Sequence, residues 1–212
     1  MTLPKYTKPV LWVLCVLVAL VSLSGQRGPL PVTMPHVAHY LVNAKVALYG
    51  HIIFAPLALL LMPLQFMSKL RARRRVLHKT VGRIYVASIV IAGVSSVVML
   101  PSSQASLWAN SGFAVLAVLW IGFTIKAMMA ARAGDIQTHQ RWMLRSATLT
   151  FAAVTLRLIM LPLVMSGWTV VETYDVTAWG SWVPTLIFVE LQILRKSSGL
   201  TKSKSLTGNS FQ

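Results

Sequence analysis

The sequence is poor in charged residues, and acidic residues are the scarcest of all. Only 11% of its 212 residues are charged, less than half of the roughly 25% found in soluble domains. Four residues are Asp or Glu, against 20 Lys and Arg. Apolar residues make up 56%, and the mean hydropathy is +0.67. This composition excludes an ordinary water-soluble enzyme and a disordered chain, and it predicts an integral membrane protein.

Cysteine is nearly absent as well. The single Cys15 lies in an apolar run, so an internal disulfide is impossible. The chain also lacks the Cys-x2-Cys and His-x3-His spacing of zinc sites, a P-loop and a glycine-rich dinucleotide fingerprint. Its chemistry must therefore come from polar residues within apolar stretches.

Six apolar stretches approach the length of about 20 residues that a membrane-spanning helix needs. They cover about 9–25, 46–67, 81–101, 107–131, 142–165 and 179–194. The segments between them are too short for a separate domain. The sequence thus predicts an all-α protein, with one transmembrane helical bundle over residues 1–196 and a polar cytoplasmic tail over residues 197–212.

The first stretch has two interpretations. Lys5 and Lys8, the apolar core and the small residues 22–25 also resemble a signal peptide. The apolar core is longer than the usual signal core of at most about 15 residues. We therefore expect a retained first helix.

Basic residues are distributed unevenly between the two sides of the predicted bundle. With the N-terminus in the cytoplasm, 17 of the 20 Lys and Arg flank the cytoplasmic ends of helices, whereas Arg27 and Lys45 lie outside. The positive-inside rule then predicts that both termini are cytoplasmic. The basic run at residues 69–75 has no interleaved aromatic residues that could stack on bases. Contact with membrane lipids is expected there, and nucleic-acid binding is not.

The fifth predicted helix carries most of the polar residues that lie within the membrane. Ser146, Thr150 and Arg157 follow His139 close to one helical face, and a second polar stripe follows another face, which predicts a central position in the bundle. Estimated depths allow Arg157 to pair with Glu190 of the sixth helix. Such a pair has two interpretations, a packing device or a ligand or proton site.

Histidines lie at matching depths on different predicted helices. His78 and His139 begin the third and fifth helices at the cytoplasmic side, and His51 lies near the opposite side with His36 and His39. Two histidines at one depth are what the axial ligation of a haem iron requires. Nearby arginines could receive the haem carboxylates; these are Arg83, Arg141 and Arg145. Interfacial side chains for His78 and His139, and a packing role for His51, are the simpler alternatives.

Several motifs resemble a bacterial multi-pass membrane family, the domain of unknown function DUF2306. They are Leu-His-Lys-Thr-Val-Gly-Arg-Ile-Tyr at 77–85, His-Gln-Arg-Trp-Met-Leu-Arg-Ser at 139–146, Thr-Phe-Ala-Ala-Val-Thr-Leu-Arg at 150–157, His51 with Pro-Leu-Gln-Phe at 63–66, and Ser-Trp-Val-Pro at 181–184 with Glu190. The resemblance covers about residues 45 to 195. It implies a relation to the two-haem membrane cytochromes b, with His51, His78 and His139 as candidate iron ligands.

Three histidines do not complete two bis-histidine sites. Either one haem lies between His78 and His139, or His36 or His39 completes a second site with His51, or the ancestral sites have been lost. The leading hypothesis is a b-type haem protein of the bacterial inner membrane that passes electrons, with a quinone or a redox protein as partner. The alternatives are a non-redox transporter, lipid-binding or assembly protein built around Arg157 and Glu190, or a structural partner in a larger complex.

Overall fold

The computed structural model describes residues 7–208, with side chains over residues 9–195, and every regular element in that part is helical. The α-helices in chain order are α1 (Thr7–Ser24), α2 (Leu30–Thr33), α3 (Tyr40–Asn43), α4 (Lys45–Gln65), α5 (Ser68–Arg73), α6 (Arg75–Met99), α7 (Leu107–Arg132), α8 (Ile136–Met165), α9 (Val170–Gly180) and α10 (Val183–Gly208). Short 3₁₀ turns occupy Pro35–Val37 and Leu100–Ser102.

Four segments in the described part are long and apolar enough to cross a membrane. They are Lys45–Gln65, Arg75–Ser102, Leu107–Arg132 and Ile136–Met165, and Pro9–Ser24 is a shorter apolar helix. Helices suit this setting because they satisfy their own backbone hydrogen bonds in lipid. The predicted all-α membrane class is confirmed.

The helices α4, α6, α7 and α8 form a four-helix core. Each of them packs against two others of the set, so that α6 lies diagonally across from α8. Helix α1 covers α4 and α8, while α9 and α10 cover α7 and α8. The residues buried between them include Leu59, Tyr85, Ile89 and Val154. The central position predicted for the polar fifth helix is confirmed, since α8 packs against helices on both of its polar faces.

We name the two ends of the bundle by what lies there. The basic end holds residues 66–74 and the turn at 133–135, and the capped end is covered by residues 25–44. In this cap, Leu30 packs on Leu48 and Ile52 of α4. The Gln26 side-chain amide donates a hydrogen bond of 2.6 Å to the Ile52 carbonyl. The cap is therefore attached to α4 roughly two turns below that helix's first residue.

The last apolar stretch differs from the prediction of one helix over 179–194. A capping box between Thr169 and Glu172 starts α9 at Val170, and the chain then breaks at Ser181 and Trp182 before α10. The Thr155 hydroxyl donates to the Ser181 carbonyl, so the break lies deep beside α8. The predicted start at residue 179 was wrong because hydropathy identifies apolar residues only. It does not identify the capping box that begins the helix nine residues earlier, at Val170.

The starts of α6 and α8 also lie earlier than predicted, at Arg75 and Ile136 rather than at 81 and 142. The Asp135 carboxylate accepts a hydrogen bond from the Thr138 backbone N–H, which fixes the start of α8 in a polar segment. The predicted polar tail begins within α10, which continues to Gly208. Residues 209–212 lie outside the described part.

The packing of α7 on α9 makes a testable prediction. A Cβ at Gly112 would lie 2.8 Å from the Trp179 indole nitrogen and 3.0 Å from the Ala178 carbonyl oxygen. We expect Gly112→Ala to lower the free energy of unfolding by about 1–3 kcal/mol, because backbone cannot move aside as a side chain can. Thermal unfolding of the detergent-purified protein measures this.

Gly122 on the same helix is the matched control, since a Cβ there meets nothing within 4 Å. Gly122→Ala should leave the unfolding midpoint unchanged or raise it slightly. Equal effects of the two substitutions would contradict the close approach of α9 to α7.

Candidate functional sites

A hydroxyl and indole network joins three core helices at mid-bundle. The Tyr85 hydroxyl of α6 lies 3.1 Å from the Ser146 hydroxyl and 2.8 Å from the Thr150 hydroxyl of α8. From α7, the Trp120 indole N–H donates to the Thr150 hydroxyl at 2.8 Å, and the Thr124 hydroxyl lies 2.7 Å from that of Ser146. We call these five residues the central network. It fixes the register of α6 against α8.

This register brings His78 and His139 to one level near the basic end. His78 precedes Tyr85 by seven residues, and His139 precedes Ser146 by seven. Seven residues are about two helical turns, so each histidine lies on the same face as its network partner and about 10 Å nearer the basic end. The two imidazoles also interact electrostatically. The predicted pair therefore lies at one level, on the faces of α6 and α8 that carry the central network.

The two imidazoles have different hydrogen-bond environments. His139 places Nδ1 2.9 Å from the Ala127 carbonyl oxygen. Because a carbonyl only accepts, Nδ1 carries a proton, and in the neutral imidazole the lone pair is then on Nε2. The Nδ1 atom of His78 is buried without a hydrogen-bond partner. Such an orphaned nitrogen is costly unless a ligand or water satisfies it.

Two further buried polar atoms near this interior lack a partner. They are Nε2 of Gln65, at the end of α4, and the Ser88 hydroxyl, one turn beyond Tyr85. The Gln65 side chain packs against Gly82, where an added Cβ would lie 3.1 Å from its Oε1 atom. Unsatisfied polar atoms thus occur on both sides of the central network.

The ion pair in the membrane differs from the predicted Arg157–Glu190 pair. Glu190 accepts hydrogen bonds of 2.5 and 2.6 Å from Nε and Nη2 of Arg145. The predicted pairing was wrong because the depth of Glu190 was counted from residue 179. Its stretch enters the bundle at Val170, so Glu190 lies nearer the basic end, level with Arg145.

Arg157 instead bonds within the capped half of the bundle. Its Nη1 donates to the Ala153 carbonyl at 2.9 Å, and its Nη2 donates to the Ser22 hydroxyl of α1 at 2.9 Å. The side chain is half-buried and points back along α8 toward the middle of the bundle. It therefore does not extend to the nearer end of the helix, as snorkelling arginines do.

His51 lies near Arg157 and far from the other two candidate ligands. Its Nδ1 lies 3.0 Å from the Ala92 carbonyl oxygen of α6, and it interacts electrostatically with Arg157. The cap contributes His36, and burial together with Arg157 and His39 lowers the pKa of the His36 imidazole. His51 thus belongs to a second polar site at the capped end.

The arginines predicted for haem carboxylates are placed unfavourably for that role. Arg145 is engaged by Glu190 and lies over the Trp142 ring at 4.5 Å. Arg83 and Arg141 are exposed. They follow His78 and His139 by five and two residues, which turns them well away from the histidine faces at 100° per residue.

The profile of a family described as predicted membrane protein, DUF2306, matches residues 48–193, more than half of the chain. The chain belongs to this family. A search of curated proteins and a search of solved structures each gave no significant match. The matched region contains α6, α7, α8 and all but the first three residues of α4, together with the central network and all three candidate iron ligands.

The sequence alone did not identify Trp120 or Thr124, although Ser146 and Thr150 were predicted on the buried face. One polar residue in an apolar helix carries little signal by itself. Trp120 precedes Thr124 by one turn, and this i, i+4 spacing toward a polar neighbouring helix was the available indication.

The Arg145–Glu190 ion pair leads to a testable prediction. In a double-mutant cycle, Arg145→Gln and Glu190→Gln should couple by about 1 kcal/mol, since Glu190 is 36% exposed and water screens the pair in part. Unfolding in detergent measures the coupling.

The cycle of Arg157→Gln with Glu190→Gln should show no coupling, because Arg157 bonds Ser22 and Ala153. Arg141→Gln, an exposed charge change on the same helix, is the control for net charge. Coupling of Glu190 to Arg157 rather than to Arg145 would contradict the arrangement.

Proposed function

We propose that this protein is a b-type haem protein that transfers electrons within the membrane, with the haem iron held by His78 and His139. The observation that supports the proposal is the position of these two histidines at one level, on the helix faces of α6 and α8 that carry the central network. Their positions follow from the contacts of Tyr85 with α8. The bound haem would supply one-electron redox chemistry.

The donor set suits a low-spin haem site. His139 donates Nδ1–H to the Ala127 carbonyl, the outer bond that orients a metal-ligating imidazole and leaves Nε2 for the metal. His78 has a buried ring nitrogen that needs a partner. No group of three or more His, Cys, Asp or Glu able to hold a metal ion occurs among the described residues, but a bis-histidine site requires only two.

The chain's own residues would shape this site in three ways. The central network closes the interior toward mid-bundle and holds α6 and α8 in register. Met143, four residues after His139, is buried in the core of the bundle and would supply an apolar neighbour on that face of α8. The basic end supplies a positive surface on which an acidic redox protein would dock, whereas a quinone would enter from the lipid.

The alternative of a non-redox transporter, lipid-binding or assembly protein was based on an Arg157–Glu190 pair. Glu190 pairs with Arg145 instead, so this alternative has less support. The assignment of His51 to the haem also loses support, because His51 lies beside Arg157 in the other half of the bundle.

The proposal includes six spans in the bacterial inner membrane, with both termini in the cytoplasm. Helix α1 would be the first span, and α9 with α10 would form a broken sixth. Of the charges near the basic end, the run at 69–75 is the densest, and such clusters stay cytoplasmic. The cap and the start of α9 would then face outward.

The topology is tested by cysteine labelling in intact cells. In a Cys15→Ser background, Val32→Cys in the exposed cap should react with a membrane-impermeant maleimide, because it faces outward. Ala72→Cys, exposed in the basic run, should react only after the cells are lysed. The reverse pattern would contradict the orientation.

The haem proposal is tested by absorption spectra of the detergent-purified protein, produced with ample haem supply. We expect the reduced protein to show b-type bands at about one haem per chain. His78→Ala and His139→Ala should each lower the haem content by about tenfold or more, because each removes an iron ligand.

His51→Ala is the matched control, since it also removes an imidazole, but from the other half of the bundle. It should keep the haem bands, with circular dichroism confirming that all variants are helical. A wild-type protein without bound pigment would overturn the proposal.

A further inference from the structure

Every side-chain carboxylate of the chain already has a hydrogen-bond or ion-pair partner. In no case is that partner Arg157. Asp135 caps α8, Glu172 forms the capping box of α9, Asp175 accepts a hydrogen bond from the Ser106 hydroxyl, and Glu190 pairs with Arg145. These are all four acidic residues in the sequence. Arg157 therefore carries a charge within the helical bundle that no acid of this chain neutralises.

The hydrogen bonds of Arg157 do not compensate its charge either. A guanidinium has five N–H donors and keeps its proton in proteins. One described bond goes to a backbone carbonyl and one to the Ser22 hydroxyl, and both acceptors are neutral. An ionised group in a low-dielectric interior is costly unless it is paired.

The titratable groups that feel the charge of Arg157 add no negative charge at neutral pH. His36 of the cap, His51 of α4 and Tyr174 of α9 all interact electrostatically with it. Burial and the neighbouring Arg157 cation lower the pKa of the His36 imidazole, which favours its neutral form. With the Ser22 hydroxyl, the surroundings offer hydroxyl and imidazole groups from four separate segments of the chain.

We infer that Arg157, with Ser22, His36, His51 and Tyr174, forms a binding site for a phosphate-type oxyanion at the capped end of the bundle. The planar fork of arginine matches two oxygens of such a group. Donors from several segments surround a tetrahedral group better than a planar one. In the neutral form of His51, with Nδ1–H donated to the Ala92 carbonyl, Nε2 would accept from the P–OH of free phosphate; a phosphodiester headgroup has no P–OH and would be held by the other donors.

Two sources can supply this chemistry, the headgroup of an anionic phospholipid or a free phosphate. Arg157 lies eight residues from the last residue of α8, about 12 Å along the helix. The site is independent of His78 and His139, so loss of the haem proposal would leave it intact.

The test uses the full-length protein in maltoside detergent, which contains no phosphate, after removal of bound lipid. The unfolding midpoint is measured against sodium phosphate at constant ionic strength, and separately against added phosphatidylglycerol. We expect a saturable rise in the midpoint with at least one of them, because a ligand that binds only the folded state stabilises it. Phosphate identifies a free oxyanion, and phosphatidylglycerol alone identifies a lipid headgroup.

Arg157→Gln should weaken the binding by about tenfold or more, since it removes the charge-assisted hydrogen bonds. Arg141→Gln, with the same charge change at an exposed site of the same helix, should bind like the wild type. If Arg157→Gln does not fold, Arg157→Lys takes its place and should bind more weakly, because it loses the fork.

The inference is overturned if neither phosphate nor phosphatidylglycerol shifts the wild-type midpoint beyond the effect of sodium chloride. It is equally overturned if the Arg157 and Arg141 variants respond alike, since the effect would then be one of net charge. Native mass spectrometry of the gently purified protein gives an independent readout, the mass of a bound lipid in the wild type and its loss in the Arg157 variant.

Discussion

The hydrogen bonds of Tyr85 with Ser146 and Thr150 hold the functional arrangement of this protein together. Within the membrane, a buried hydroxyl group cannot form a hydrogen bond with water, so its hydrogen-bond partner is a group of the protein, such as one on another helix. Tyr85 does so across the bundle diagonal, and Trp120 and Thr124 complete the network from α7. The common level of His78 and His139 follows from this register.

The second constraint on the molecule is its small number of acidic residues. With four carboxylates in the chain, three serve at helix ends and one neutralises Arg145. The two polar sites therefore have opposite characters. The basic-end site has two imidazoles at one level, one of them with a buried nitrogen that has no hydrogen-bond partner. The capped-end site has a cation without a counter-charge, which suits an anion.

The predicted bounds agree with the structure where the apolar stretch and the helix have the same length. They disagree at the last stretch. Helices α4 and α7 begin and end within two residues of their predicted bounds. At α9 the deciding residues were Thr169 and Glu172, whose capping box starts the helix in a polar segment. That local hydrogen bonding moved Glu190 by several residues in depth and thereby changed its partner from Arg157 to Arg145.

By itself, the sequence determined the membrane class, the helical content and the polar face of α8, because composition and 3.6-residue periodicity depend on neighbours along the chain. It also placed His78 and His139 at one depth. Only the tertiary structure decided which polar groups meet: the pairing of Arg145 with Glu190, the bond of Arg157 to Ser22 and the separation of His51 from the other histidines. These depend on the rotation and the offset of helices far apart in sequence, which are set when side chains pack.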